Sequence, residues 1–236
     1  MEPNAERPDA NDGFQPVDPA VHGALSLDGD AEKLRRYYDT WAPTFDADVG
    51  ADQYDLPDQM ALLLAQVVGQ DRGEPIEGLT IDPGPPEPEI LDVGCGTGLV
   101  GARFAEAGYR TIDGIDLSPA MTELAAARGC YRELRSGVDI NEPPAEDLID
   151  RYDIVVAGGV FTLGHVPPSA LRAVAKMTRP GGLAVISTRL RYYDETDYQA
   201  ESDRLEAAGV LQLLRCNRMA PHTLDSPGHY WAYLIR

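Results

Sequence analysis

Lysine is nearly missing from this 236-residue chain: Lys33 and Lys176 are the only two, and arginine supplies the other basic residues. Asp and Glu together number 39 against 20 Lys and Arg, a formal net charge of -19. Such a surface repels phosphate backbones and anionic lipid, and no basic cluster offsets it, so neither nucleic acid nor a membrane is expected as a partner. Cysteine is also scarce. Cys95, Cys130 and Cys216 are an odd number, far apart and without a C-x-x-C pair, which excludes a disulfide framework and a thiolate zinc site; no metal site is expected. No apolar run is long enough to span a bilayer, and the opening Met1-Glu-Pro-Asn-Ala-Glu6 lacks the basic and apolar regions of a signal peptide. A cytoplasmic protein follows from these absences.

The length suits one α/β domain with a full core. Residues 1–30 are rich in Pro, Asp, Asn and Gly without apolar periodicity, the composition of a disordered tail. Residues 31–70 read as a helical lid segment. Leu34, Tyr37, Tyr38 and Trp41 fall at helical spacing before Pro43, and a second helix over 55–68 has Pro57 in its first turn and Leu63, Leu64 and Val67 on its core face. Residues 71–88, with Pro83, Pro85, Pro86 and Pro88, form a connector. Residues 89–236 are the core.

That core opens with Glu89-Ile-Leu-Asp-Val-Gly-Cys-Gly-Thr-Gly-Leu-Val-Gly101. Ile90, Leu91 and Val93 suit a strand covered on both faces. Gly94, Gly96 and Gly98 then exclude side chains and let a ligand sit on the backbone. The glycines alone also satisfy the G-x-G-x-x-G dinucleotide pattern and would serve a nicotinamide enzyme. Asp92 weighs against that, because a carboxylate just before the loop repels a pyrophosphate and favours a ligand carrying a cation.

A helix is predicted over 99–107 with Gly108 after its end, and a second strand over 110–115. Asp116 then stands about 20 residues beyond the glycines, the spacing of a ribose-binding acid. Its bland alternative is a turn or cap residue. Ser118 and Pro119 start a helix that runs to Arg128. A third strand is predicted over 131–134, followed by Val138-Asp-Ile140, and a fourth over 151–161. In an open parallel sheet ligands lie beyond the carboxyl ends of the strands, so residues 158–165 should face the chemistry. His165 is the candidate general base there, since an imidazole titrates near neutrality; an ordinary loop histidine is the alternative. His22, His222 and His229 are read as solvent-facing or structural. The chain should close with an Arg179-Pro-Gly-Gly182 turn, a strand over 183–188, a helix over 194–208 ended by Gly209, and strands over 211–216 and 230–235. Arg189, Arg191, Tyr192 and Tyr193 either orient a polar substrate or begin a solvated helix.

The order of these features resembles class I S-adenosylmethionine-dependent methyltransferases: D-x-G-x-G-x-G at Asp92 to Gly98, the second-strand acid in Gly114-Ile-Asp-Leu-Ser-Pro-Ala-Met121, and P-G-G before the fifth strand. With Tyr38-Asp-Thr-Trp-Ala-Pro and Gly164-His-Val-Pro167 the chain looks most like the Williams-Beuren-region methyltransferase-like family. The resemblance implies a Rossmann-like, seven-stranded, mostly parallel sheet with helices on both faces and an antiparallel C-terminal strand. It implies S-adenosylmethionine as cofactor and S-adenosylhomocysteine as product, with contacts from Tyr38, Trp41, Asp92, Gly94, Cys95, Gly96, Gly98, Asp116, Leu117, Met121, Asp139, Ala157 and Gly158. Tyr54 and Phe45 are further lid candidates. Transfer of the methyl group to O or N of a small-molecule acceptor is the expected activity. The motifs also admit an enzyme of this fold that uses the cofactor for rearrangement or elimination, or a non-catalytic cofactor-binding partner.

Overall fold

The computed structural model describes residues 23, 27–51, 53–69, 87–223 and 226–236. Nearly all of the expected tail and connector lies outside the described residues. Three helices come first: α1 (Ala31–Trp41), α2 (Phe45–Ala51) and α3 (Leu56–Val68). Asp30 caps α1 by accepting from the Lys33 amide, and Gly69, at φ 75°, ends α3.

The core alternates β1 (Glu89–Val93), α4 (Leu99–Glu106), β2 (Thr111–Asp116), α5 (Pro119–Ala127), β3 (Glu133–Ser136), β4 (Tyr152–Phe161), α6 (Leu171–Met177) and β5 (Thr178–Arg189). It closes with α7 (Leu190–Glu195), α8 (Tyr198–Ala207), β6 (Leu211–Thr223) and β7 (Ser226–Ile235). The seven strands make one sheet in the order β3-β2-β1-β4-β5-β7-β6. The first five are parallel, and β7 is inserted antiparallel to both β5 and β6. The chain is therefore a Rossmann-like α/β domain.

Period-two alternation divides the core into two layers. Ile90, Ile112, Ile154, Val156 and Val185 face α3 and α4, where Leu56, Met60, Leu63, Leu64 and Phe104 are fully buried. Leu91, Val93, Val155, Ala157 and Ile186 face the other way, against Leu171 and Val174 of α6 and Leu205 of α8. Among the described residues no helix is long and apolar enough to cross a membrane.

The late elements depart from expectation. The helix expected over 194–208 starts four residues later, as α8, and a separate short helix, α7, precedes it; Tyr192 of α7 and Tyr198 of α8 both pack edge-on against Phe161. Strand β3 sits two residues later than expected, and β5 takes in the Arg179-Pro-Gly-Gly stretch as an irregular start where pairing jumps from Tyr152/Thr178 to Ile154/Leu183. Strand β6 runs to Thr223, past a register shift between Asn217 and Ala220 where Met219 adopts φ 53°. That extension buries His222 and His229, so neither faces solvent.

Candidate active site

A cavity opens at the carboxyl ends of β1, β2, β4 and β5. Gly94 to Thr97 form one wall, Asp116, Leu117 and Met121 the next, and residues 138–141 follow β3. Gly158, Gly159, Val160 and His165 line the β4 side, with Arg189 and His222 beside them. Leu34, Tyr38, Trp41, Phe45 and Tyr54 roof it from the N-terminal helices.

The loop glycines have different reasons. A Cβ at Gly94 would come within 2.5 Å of Val160 Cγ2, and one at Gly98 within 2.9 Å of the Tyr131 ring. At Gly96 a Cβ would meet nothing within 4 Å, although φ is 52°. Gly94 and Gly98 answer to packing, whereas Gly96 leaves backbone open on the cavity.

Asp116 closes the end of β2. Its Oδ2 accepts from the Gly96 amide at 2.8 Å and its Oδ1 from the Ser118 amide at 2.8 Å. Each oxygen keeps a second lone pair for a ligand hydroxyl. Burial raises its pKa, against the lowering effect of the Ser118, Gly96 and Leu117 amides.

Two carboxylates of the N-terminal helices fasten the roof. Asp39 accepts from Ser118 Oγ at 2.6 Å and from Arg35 at 2.8 Å. Asp46 accepts from Thr97 Oγ1 at 2.5 Å and also pairs with Arg128. Between them, Tyr38 stacks on Trp41 with ring centroids 5.8 Å apart, and Phe45 meets Trp41 edge-on at 4.7 Å. The Trp41 indole donates to Asp48 at 2.7 Å. The Tyr-Asp-Thr-Trp-Ala-Pro-Thr-Phe-Asp run is thus a roof with its own anchors.

His165 is inside the cavity but already engaged. Its Nδ1 lies 2.9 Å from the Leu163 carbonyl, which only accepts, so Nδ1 carries the proton. Nε2, 2.6 Å from the Tyr38 oxygen, then accepts from that hydroxyl. Burial lowers the imidazole's pKa to about 4, helped by the charge of Arg189, and burial raises that of Tyr38.

Of the residues expected at the ligand, Asp92, Gly98 and Ala157 do not reach the cavity wall. Asp92 points from β1 into the α3/α4 layer, where Oδ2 accepts from the Tyr131 hydroxyl at 2.7 Å, the Gly101 amide lies nearby, and Oδ1 is buried with no well-formed hydrogen bond among the described residues. Burial raises its pKa to about 7. Gly98 is packed beneath Tyr131 and Arg128, and Ala157 belongs to the opposite core layer. The other expected residues line the cavity: Tyr38, Trp41, Gly94, Cys95, Gly96, Asp116, Leu117, Met121, Asp139, Gly158 and His165. Of the four residues expected to follow the fifth strand, Arg189 is its last residue and lines the cavity, Arg191 is exposed with Glu195, Tyr192 is core, and Tyr193 stacks on Trp231. His222 had no signal in the sequence, since only the pairing of β6 with β7 brings it here. Among the described residues, no group of three or more His, Cys, Asp or Glu is placed to hold a metal ion.

Residues 54–233 match the profile of a methyltransferase domain family. The chain belongs to the class I S-adenosylmethionine-dependent methyltransferases. This methyltransferase is similar to human methyltransferase-like protein 27, at 36% identity over 197 residues that cover 81% of this chain and 71% of the human one. It is also similar to the ubiquinone biosynthesis O-methyltransferase of Pseudomonas entomophila, at 37% identity over 108 residues, 42% of this chain and 44% of that one. Among solved structures, the magnesium protoporphyrin IX methyltransferase of Synechocystis PCC 6803 with bound S-adenosylhomocysteine superposes with a TM-score of 0.59 at 15% identity, covering 88% of this chain and all of the other. The site fits the cofactor of the family. It offers open backbone at Gly96, an acid at the end of β2 with lone pairs to spare, and an aromatic roof over the cavity.

Proposed function

We propose that this methyltransferase transfers the methyl group of S-adenosylmethionine to an oxygen or nitrogen of a small molecule, in the cytoplasm and within specialised metabolism. The observation that carries this reading is the anchored roof: Tyr38, Trp41 and Phe45 line the cavity from the N-terminal helices and give it an apolar, aromatic wall that suits a small organic acceptor. The acidity of the chain, at a net charge of -19, supports the same reading.

In this reading Asp116 takes the ribose hydroxyls, Asp139 the adenine amino group, and Leu117 and Met121 the apolar faces of the base. Gly94 to Gly96 present backbone to the amino-acid end, under Tyr38 and Trp41. The bound cofactor supplies an electrophilic methyl group on a sulfonium. The chain's own part is to orient the acceptor and keep water away, which matters because charge is lost as the sulfonium is consumed. His165 holds the roof down through Tyr38.

The experiment is a screen of small-molecule extracts with the full chain and S-adenosylmethionine, read as formation of S-adenosylhomocysteine. Product with a phenol, alcohol or amine fraction is the expected result. Cofactor binding by calorimetry without product from any fraction would overturn methyl transfer, and absence of binding would overturn the site.

A further inference from the structure

The cavity wall carries a second histidine, and its hydrogen bonds differ from those of His165 in one respect. His222 is 1% exposed near the end of β6. Its carbonyl accepts from the Asp55 amide at 3.0 Å, which ties β6 to the start of α3, and its ring meets Tyr54 edge-on at 5.9 Å. Room for the ring depends on Gly228 of β7, where a Cβ would stand 2.8 Å from His222 Nδ1.

Which nitrogen carries the proton follows from Tyr230. That hydroxyl donates to the Pro221 carbonyl at 2.8 Å, so its single proton is committed. His222 Nδ1 lies 3.2 Å from the same oxygen and is left to donate to it. Nε2 is therefore a bare lone pair. It is buried and has no partner among the described residues, and its residue lines the cavity. In His165 the corresponding lone pair is filled by Tyr38. Both rings have the same tautomer, but only the Nε2 of His222 has nothing to accept.

We propose that His222, rather than His165, is the general base of the transfer, its Nε2 taking the proton of a phenolic hydroxyl on the acceptor. This rests on the function proposed above. The acceptor's O–H bond breaks, its proton goes to Nε2, and the oxygen pair forms the new O–CH3 bond. The CH3–S bond breaks with its electrons on sulfur, and the positive charge passes from sulfonium to imidazolium.

A phenol is favoured over an aliphatic alcohol by the surroundings of the base. Burial and the charge of Arg189 keep His222 neutral, with its pKa well below the usual histidine value. Arg189 lines the same cavity, and its charge favours an ionised acceptor oxygen. Phenols, at a pKa of about 10, give up a proton to a neutral imidazole far more readily than aliphatic alcohols do.

The test uses the full chain with 15N-labelled imidazoles. In the free protein His222 is expected as Nδ1–H with an unprotonated Nε2, and added phenol is expected to shift the Nε2 resonance to lower frequency as it gains a hydrogen bond. His222→Asn places an amide where Nδ1 was, beside Tyr230, and nothing at Nε2. It is expected to lower turnover of phenolic acceptors by about 100-fold, with calorimetric affinity for S-adenosylmethionine kept within about threefold, a change well under 1.4 kcal/mol. A proton on Nε2, an Nε2 signal unmoved by phenol up to its solubility limit, or undiminished turnover in His222→Asn would each overturn the proposal. Failure of the unmodified chain to bind S-adenosylmethionine would instead overturn the function on which it rests, while the tautomer would still be read.

Discussion

The Thr97 hydroxyl in the glycine loop donates to Asp46 of α2 at 2.5 Å, and Arg128 at the end of α5 donates both to the Thr97 carbonyl at 2.5 Å and to Asp46. Roof and cofactor loop are thereby parts of one hydrogen-bonded unit. Asp46→Ala is expected to release α1 and α2, raising their amide hydrogen exchange, and to weaken S-adenosylmethionine binding by about 0.5–1.5 kcal/mol, the net scale of a hydrogen bond. Unchanged exchange across residues 31–51 would count against this coupling.

Two glycines of the same loop should fail in different ways. Gly96→Ala introduces a side chain at φ 52° into open cavity, so it is expected to cost about 1–2 kcal/mol of stability and to abolish measurable cofactor binding. Gly98→Ala at φ 88° drives a methyl group into Tyr131 and Arg128, and is expected to lose more stability than Gly96→Ala. Thermal melts paired with calorimetry separate the two effects, and equal melting temperatures would contradict the packing described for Gly98.

Asp116→Ala removes the acceptor at the end of β2 and is expected to weaken S-adenosylmethionine by about 2–3 kcal/mol, the range of charged hydrogen bonds. Calorimetry at saturating protein reads this directly. Wild-type affinity would take the ribose away from Asp116.

The pKa of Asp92, raised to about 7 by burial, has a consequence for stability. Between the ordinary aspartate value near 4 and about 7, the folded chain retains a proton that the unfolded chain has released. The contribution of this group to stability therefore falls as pH rises through that window. Asp92→Asn no longer titrates, so its stability relative to the unmodified chain is expected to climb between pH 4 and 7 and level off above, by up to about 4 kcal/mol. Urea denaturation at pH 4.5 and pH 8 measures the difference; a difference independent of pH would contradict the buried state of Asp92.

Much of the local architecture around the cavity was legible in the sequence, because it is written in short stretches. Gly94 to Gly98 and Asp116 are set by strand-loop-helix units whose glycines and caps are written within a few residues of one another. The roof motif was legible as a segment, but not the tasks of Asp39 and Asp46, whose partners Ser118 and Thr97 lie 79 and 51 residues away. That Asp92 faces the α3/α4 layer was not legible, because a period-two pattern tells which residues share a face, not which face meets the cavity. The separate α7 was not legible either, since its Tyr192, like Tyr198 of α8, packs against Phe161, far off in the chain. His222 was invisible for a similar reason. Its position depends on a register shift in β6 and on the room left by Gly228, and neither has a local signature.

The antiparallel hairpin of β6 and β7 brings His222 to the cavity from the last 26 residues of the chain, while the walls made by the glycine loop, by Asp116, Leu117 and Met121 and by residues 138–141 come from much earlier in the chain. The fold therefore has a seam. A relative could exchange its terminal hairpin for another and acquire a different appetite for acceptors, while inheriting the cofactor seat intact.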